Sequence, residues 1–238
     1  MSLYRDRGVV LRTHKLGEAD RIVIVLSRDH GKIRAVAKGV RKTKSRFGGR
    51  LEPPSHVDLL LYQGRELDIV TQADTLEHFA PVREDFDRLA RAVSMLEAAD
   101  QVAMEREPNI ELYRMLTGAL RELATRDAPL VVPAFFLKLL ALEGFRPQVE
   151  ACGVCGDETG LVSWAIAEGG LRCAAHRQGV PISPEAVGLV QDILGGQLGS
   201  ALNQPPSPAT AEIDHLAVKV LEHHLERRLR SVSSLHRA

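Results

Sequence analysis

The hydrophobic period of this chain changes once, near residue 80, and that change limits the fold more than any single motif. Upstream, residues 9–11, 22–26, 33–37, 57–62 and 67–70 are β-branched or apolar runs of strand length. Turn chemistry separates them: Arg28-Asp-His-Gly31 lies between the second and third runs, and Gln63-Gly-Arg65 between the fourth and fifth. Five such strands fit a small closed barrel of the OB type, and a five-strand SH3-like barrel reads much the same. The longest connection, 39–55, carries Gly48-Gly49 and Pro53-Pro54. A loop of that length in a compact domain is usually functional or disordered.

Downstream, Phe86, Leu89, Ala90, Val93 and Leu96 recur at spacings of three and four, which predicts an amphipathic helix running to about residue 106. Helices follow at 109–125 and 132–143. The second of these contains Phe135, Phe136, Leu137, Leu139, Leu140 and Leu142, apolar nearly all round, and belongs at the centre of a bundle. A Gly-rich segment at 152–176 interrupts the helices. Ser183-Pro-Glu185 then places a capping serine before a proline at the first helical position. Gln204-Pro-Pro-Ser-Pro208 reads as a linker, and a last helix at 210–231 carries Ile213, Leu216, Val220, Leu221 and Leu225 on its apolar side.

Hydrophobic residues at 45% and charged residues at 26% exclude a disordered or collagen-like chain. No apolar run reaches the ~20 residues that span a bilayer. Charges at Arg5, Asp6 and Arg7 stand where a signal peptide needs an apolar core, so the expected location is the cytoplasm.

The net charge of zero conceals an asymmetry. Residues 1–50 hold 14 Lys and Arg against four acids, leaving 17 bases and 27 acids for the remainder. A cationic N-terminal unit on an acidic body points to a polyanionic partner. Between Lys32 and Arg50 there are eight bases and no acid. In the third strand Ile33, Ala35 and Ala37 share one face while Lys32, Arg34 and Lys38 share the other, so a charged face continues into a charged loop. That loop adds Arg41, Lys42, Lys44, Arg46 and Arg50 for phosphates, and Phe47 for base stacking. With aromatics at 4% the stacking part is modest, Tyr4 and Tyr62 being the other candidates. These residues, Lys32, Arg34, Lys38, Arg41, Lys42, Lys44, Arg46, Phe47 and Arg50, form the expected nucleic-acid interface. Should the loop be only a solvated charge run, the Arg227-Arg-Leu-Arg230 end of the last helix is the next candidate.

Cys152-x2-Cys155 is followed, after seventeen residues, by Cys173-x2-His176, which gathers every cysteine of the chain and one histidine into a set of four. Two such pairs supply the tetrahedral Cys3His set that zinc prefers. Four protein ligands leave no open position for water or substrate, so one structural zinc is expected rather than a catalytic one. A zinc deaminase needs His-x-Glu ahead of Pro-Cys-x-x-Cys; here His224-Leu-Glu226 follows the cysteines, and residue 151 is Ala. The reading is therefore an α+β chain. It has a five-stranded OB-type barrel over 1–80 and an all-helical domain over 81–238, with a zinc knuckle inserted at 150–180.

Several stretches resemble the bacterial recombination mediator family RecO. They are Gly8-Val-Val-Leu-Arg-Thr-His-Lys-Leu-Gly-Glu-Ala-Asp20, Gly31-Lys-Ile-Arg-Ala-Val-Ala-Lys-Gly39, Lys44-Ser-Arg-Phe-Gly48 and Leu67-Asp-Ile-Val-Thr-Gln72. The resemblance extends through the helical segment and the cysteine region, where His176 stands for the fourth cysteine that members often carry. It implies DNA binding, annealing of complementary strands and, with RecR, assistance in loading RecA onto strands coated by single-strand-binding protein. It also implies a contact between the helical domain and the acidic, Phe-ended tail of that protein, for which residues 135–142 are a candidate floor. Annealing needs no nucleophile or bound nucleotide, and the sequence carries no Walker A motif, no Gly-x-Ser-x-Gly and no acidic metal cluster, so no catalytic residue is expected. Glu18 and Asp20 read as part of a surface ion-pair network with Lys15 and Arg21 rather than as a catalytic pair. The alternative is a zinc-stabilised RNA-binding or regulatory protein; a zinc enzyme is the more distant rival.

Overall fold

The computed structural model describes residues 2–231; the outer ends of the two expected domains, residue 1 and residues 232–238, lie outside it. The chain forms two compact units, one ending at Thr125 and the other beginning at Arg126.

The first unit is built on five strands: β1 (Leu3–Leu16), β2 (Asp20–Ser27), β3 (Lys32–Ala37), β4 (His56–Tyr62) and β5 (Asp68–Glu77). They close in the order β1-β2-β3-β5-β4, and the β3–β5 pairing is parallel. That order is the OB arrangement and decides against the SH3-like alternative. Closure depends on β1, whose N-terminal half pairs with β4 and whose C-terminal half pairs with β2. Its register shifts between Val10 and Arg12, the bulge that lets one strand serve two neighbours. Alternation puts Ile33, Ala35 and Ala37 inside with Val10, Val23, Val25, Val57, Leu59, Leu61 and Val70.

Three helices complete this unit: α1 (Ala80–Glu84), α2 (Phe86–Val102) and α3 (Ile110–Thr125). The Asp85 carboxylate caps α2 by accepting from the Arg88 amide at 2.9 Å. The helix buries Ala92, Met95, Leu96, Ala98 and Ala99, while Phe86 is 76% exposed and Val93 39%. The apolar stripe expected from the bulky residues is therefore rotated. Alanines set the packed face, because small side chains let the helix backbone approach its neighbours closely. The helix ends at Val102, short of the expected residue 106, and the chain then runs beside the start of β3, where Gly31 and Lys32 bridge to Glu105. Gly31 has φ +66°, and a methyl group there would sit 2.1 Å from the Glu107 carbonyl oxygen, so only glycine admits this approach.

A buried polar clamp ties α3 to the barrel. His56 on β4 is hydrogen-bonded through Nδ1 to Glu77 Oε1 at 2.7 Å and through Nε2 to the Tyr113 hydroxyl at 2.6 Å. Arg121 holds the same Glu77 with two bonds, at 2.7 and 2.6 Å. Burial lowers the pKa of His56 and raises that of Tyr113, and the Arg121 hydrogen bond draws Glu77 down.

The second unit contains α4 (Val131–Leu142), α5 (Pro184–Leu194), α6 (Leu198–Leu202) and α7 (Pro208–His224). Helix α4 packs against α5 and α7, and Phe135, Phe136, Leu137, Leu139 and Leu140 are all buried. That places α4 at the core of its bundle, where it offers no accessible floor for a peptide. Ser183 caps α5 as expected, and Ser207 with Thr210 forms a capping box on α7. The expected insertion between α4 and α5 is built on a small sheet. Its strands are β6 (Leu161–Ala165), β7 (Gly170–Cys173) and β8 (Val180–Pro181), in the order β7-β6-β8. Trp164 of β6 is completely buried. No helix among the described residues is long and apolar enough to cross a membrane.

Candidate nucleic-acid interface and metal centre

The basic loop leaves β3 through a clamp made by the β1–β2 turn. The Asp20 carboxylate accepts from the Gly39 amide at 2.7 Å, and the Ala19 carbonyl accepts from the Arg41 amide at 2.9 Å. The Arg41 guanidinium donates to the carbonyl of Glu18 at 2.9 Å. Asp20 thus fixes loop backbone rather than joining the surface ion-pair network read from the sequence, and Arg21 pairs instead with Glu52. Beyond Gly39 the chain runs through successive tight turns, with Ser45 N bonded to the Lys42 carbonyl and Arg50 N to that of Phe47.

Phe47 is 1% exposed and Leu51 is 2% exposed; both belong to the barrel core. The expected stacking role of Phe47 is corrected by this burial: its ring anchors the loop inside the barrel and offers no face to a base. Its neighbour Arg46 lies over the same ring, 4.8 Å from the centroid. Tyr4 is also committed, its hydroxyl donating to the buried Asp68 and accepting from Arg106, and its ring lying 4.5 Å from that of His30. Burial, followed by the Asp68 contact, raises its pKa. Tyr62 is half-buried.

The cations divide into two groups. Lys32 is tied to α2, its Nζ donating to the Asp100 carbonyl at 2.7 Å and lying 3.4 Å from the Asp100 carboxylate. Arg34 is 3.7 Å from Glu105. Lys38, Arg41, Lys42, Lys44, Arg46 and Arg50 are exposed, and no ion pair involves them among the described residues. Six unneutralised cations on a loop pinned from inside by two apolar side chains form a positively charged surface of fixed shape.

The metal centre is assembled by the β6–β7 hairpin. Cys152 and Cys155 lie in a turn before β6, Cys173 ends β7, and His176 ends the 3-10 turn at Ala174–His176. Leu171 of β7 accepts from the Gly153 amide at 3.1 Å, which docks the first pair beside the second. The four ligand atoms lie within 4.8 Å of one another. Cys155 and Cys173 sulfurs are 3.8 Å apart, and His176 Nδ1 is 3.3 Å from the Cys173 sulfur and 3.9 Å from that of Cys152. A tetrahedron with ~2.3 Å metal–sulfur bonds has edges of about 3.8 Å, so the donors fit one ion, with Nδ1 as the imidazole ligand. Amide bonds from Cys173 and Cys155 pull the Cys152 thiol down to about 6, into the thiolate form that binds metal. An amide bond from Asp157 acts the same way on Cys155, but burial and the sulfurs of Cys152 and Cys173 outweigh it and push that thiol up. A dication among the three sulfurs would relieve that repulsion.

A family model described as "Recombination protein O N terminal" matches residues 1–79, and one described as "Recombination protein O C terminal" matches 83–233. The chain belongs to the recombination protein O family. It is 43% identical to the DNA repair protein RecO of Bifidobacterium adolescentis over 99% of this chain and 100% of that one. It is 45% identical to the DNA repair protein RecO of Frankia casuarinae and 43% identical to that of Thermobifida fusca, with both chains fully covered in each case. The two recombination protein O models meet where the hydrophobic period changes, whereas the compact unit around the barrel extends to Thr125. The stretches that carried the resemblance have physical work to do here. Gly17-Glu-Ala-Asp20 clamps the loop, and Lys44-Ser-Arg-Phe-Gly48 holds its anchor. Reading the sequence did not single out Asp100, Asp68 or Arg106. These partners lie 38 to 102 residues from the groups they bind, and no local pattern marks such pairs.

Proposed function

We propose that this chain acts in DNA repair as a non-catalytic mediator. In this reading the barrel loop binds single- and double-stranded DNA and screens two phosphate backbones so that complementary strands anneal. The single observation that carries it is the group Lys38, Arg41, Lys42, Lys44, Arg46 and Arg50, exposed and unpaired on a loop whose backbone is fixed by Asp20 and Phe47. Phosphate contacts of this kind supply affinity without reading bases. Lys32 and Arg34 contribute less, being engaged by Asp100 and Glu105, and Phe47 acts by holding the loop. The names of the relatives support the repair role, and the family resemblance supports RecR, single-strand-binding protein and, indirectly, RecA as partners in the cytoplasm. We assign one structural zinc to Cys152, Cys155, Cys173 and His176, because thiolates with an imidazole at tetrahedral spacing suit that ion. The test is annealing of complementary strands coated with single-strand-binding protein, in the absence of nucleotide. Acceleration is expected, and a strict requirement for ATP would defeat the reading. Tighter binding to structured RNA than to single-stranded DNA would favour an RNA-binding role instead.

A further inference from the structure

Arg172 of β7 is a buried arginine, 5% exposed, one residue before the ligand Cys173. No carboxylate pairs with it among the described residues. Its only hydrogen bond there runs from Nη1 to its neighbour's carbonyl, that of Leu171, at 3.0 Å, and its Nε has no partner. The nearest acid in sequence, Glu168, is exposed and accepts from the Gln178 amide at 3.2 Å; Asp157 and Glu158 are exposed too, and the Asp157 carboxylate accepts from Thr159. A guanidinium this deeply buried and left without an anion needs an explanation.

Position supplies one. The guanidinium lies against Gly153, the residue that follows the first ligand. A methyl group on Gly153 would sit 2.5 Å from Nη1 and 3.3 Å from Cζ. Gly153 is not among the glycines with positive φ, so the space for Arg172, rather than backbone conformation, is what its missing side chain provides here. Three thiolates and a neutral imidazole around a dication carry one net negative charge. The one buried cation without a carboxylate partner among the described residues of this unit is packed on the same turn.

We propose that Arg172 is the built-in counter-cation of the Cys3His centre, seated on Gly153 so that the buried guanidinium offsets the net negative charge of the partly buried metal–thiolate cluster. This rests on the zinc assignment above. Arg172 is a positioning residue: it touches no metal, and it stabilises the ligand set through its charge, held beside the first ligand turn from a buried position.

The experiment measures zinc affinity of the full chain by competition with a chromophoric chelator, together with thermal unfolding of the metal-free protein. Arg172→Met should weaken zinc binding about 10- to 100-fold, the range typical of groups that support metal ligands, and Arg172→Lys should restore most of it. Gly153→Ala should weaken binding on its own and add little in the Arg172→Met background, because the displaced guanidinium is then already gone. If Arg172→Met does not fold, Gly153→Ala and Arg172→Lys still decide, since both keep the charge and differ in where it can sit. Wild-type zinc affinity in Arg172→Met, or equal losses from Gly153→Ala with and without Arg172, would make the residue a packing element and overturn the proposal. A wild-type chain that binds no zinc would instead remove the assignment beneath it.

Discussion

The basic loop at 39–55 and the cysteine-bearing segment at 150–181 are both long and rich in glycine, and they are ordered by opposite means. The loop is held from inside: Phe47 and Leu51 enter the barrel core, while Asp20 grips the backbone at Gly39. Hydrophobic burial fixes it and leaves its charges outside for another molecule. The second segment has Trp164 as an apolar anchor, but its turns converge on four polar ligand atoms within 4.8 Å. In the proposed reading an ion completes its order, and its charge is used internally. A loop pinned by apolar side chains can present a surface, whereas one pinned by a metal has spent its reactive groups on itself.

Removing the metal tests this contrast most strongly. A strong chelator, or Cys152→Ser with Cys155→Ser, should abolish zinc binding and unfold the segment around β6 and β7. The expected loss is several kcal/mol, since structural zinc contributes on the order of 10 kcal/mol in small domains. The barrel contains none of the ligands, and its amide exchange should be unchanged. Full metal content with unaltered unfolding in the double variant would end the zinc assignment.

The converse change is Phe47→Ala. Emptying a buried phenylalanine site should cost about 3–5 kcal/mol, loosen the loop and weaken DNA binding even though every cation remains. Zinc content should not move. If DNA affinity survives in a variant shown to be destabilised, the fixed shape of the loop is irrelevant and charge alone suffices.

Acid should act on the barrel's clamp before it reaches most carboxylates. His56 is held neutral by burial, so below its ordinary value of about 6.5 the unfolded chain takes up a proton that the folded one refuses. Stability is therefore complete above that pH and declines as pH falls toward the depressed folded value. Glu77, held down first by Arg121, adds a second loss below about 4.3. His56→Gln should be less stable by about 1–3 kcal/mol at neutral pH and show a flatter profile between about pH 6.5 and 5. An unchanged profile would place the acid sensitivity elsewhere.

The smallest effect on stability should accompany a large one on binding. Changing Arg41, Lys42, Lys44 and Arg46 to alanine should alter unfolding by no more than about 0.5 kcal/mol. The salt slope of single-strand binding should fall by roughly 0.7 per lost phosphate contact, about 3 in all, with similar losses for every sequence. An unchanged slope would leave the loop a solvated charge run and direct attention to Arg227, Arg228 and Arg230. These follow α7, where Leu229 is buried and its amide donates to Glu222 at 2.8 Å.

Some of this was determined by the sequence alone. Alternation in 33–37, the change of period near 80, the Ser183 cap and the paired Cys and His spacings are local patterns, and each appears in the structure as the local rule requires. The tertiary structure decided whatever depended on partners distant in sequence. It turned α2 onto its alanine face, drew Phe47 into the core, paired Lys32 with Asp100 and left Arg172 against Gly153. A side chain's chemistry is written at its own position. Whether it faces solvent or core depends on which distant segments close over it, and that follows from how the whole barrel and bundle exclude water.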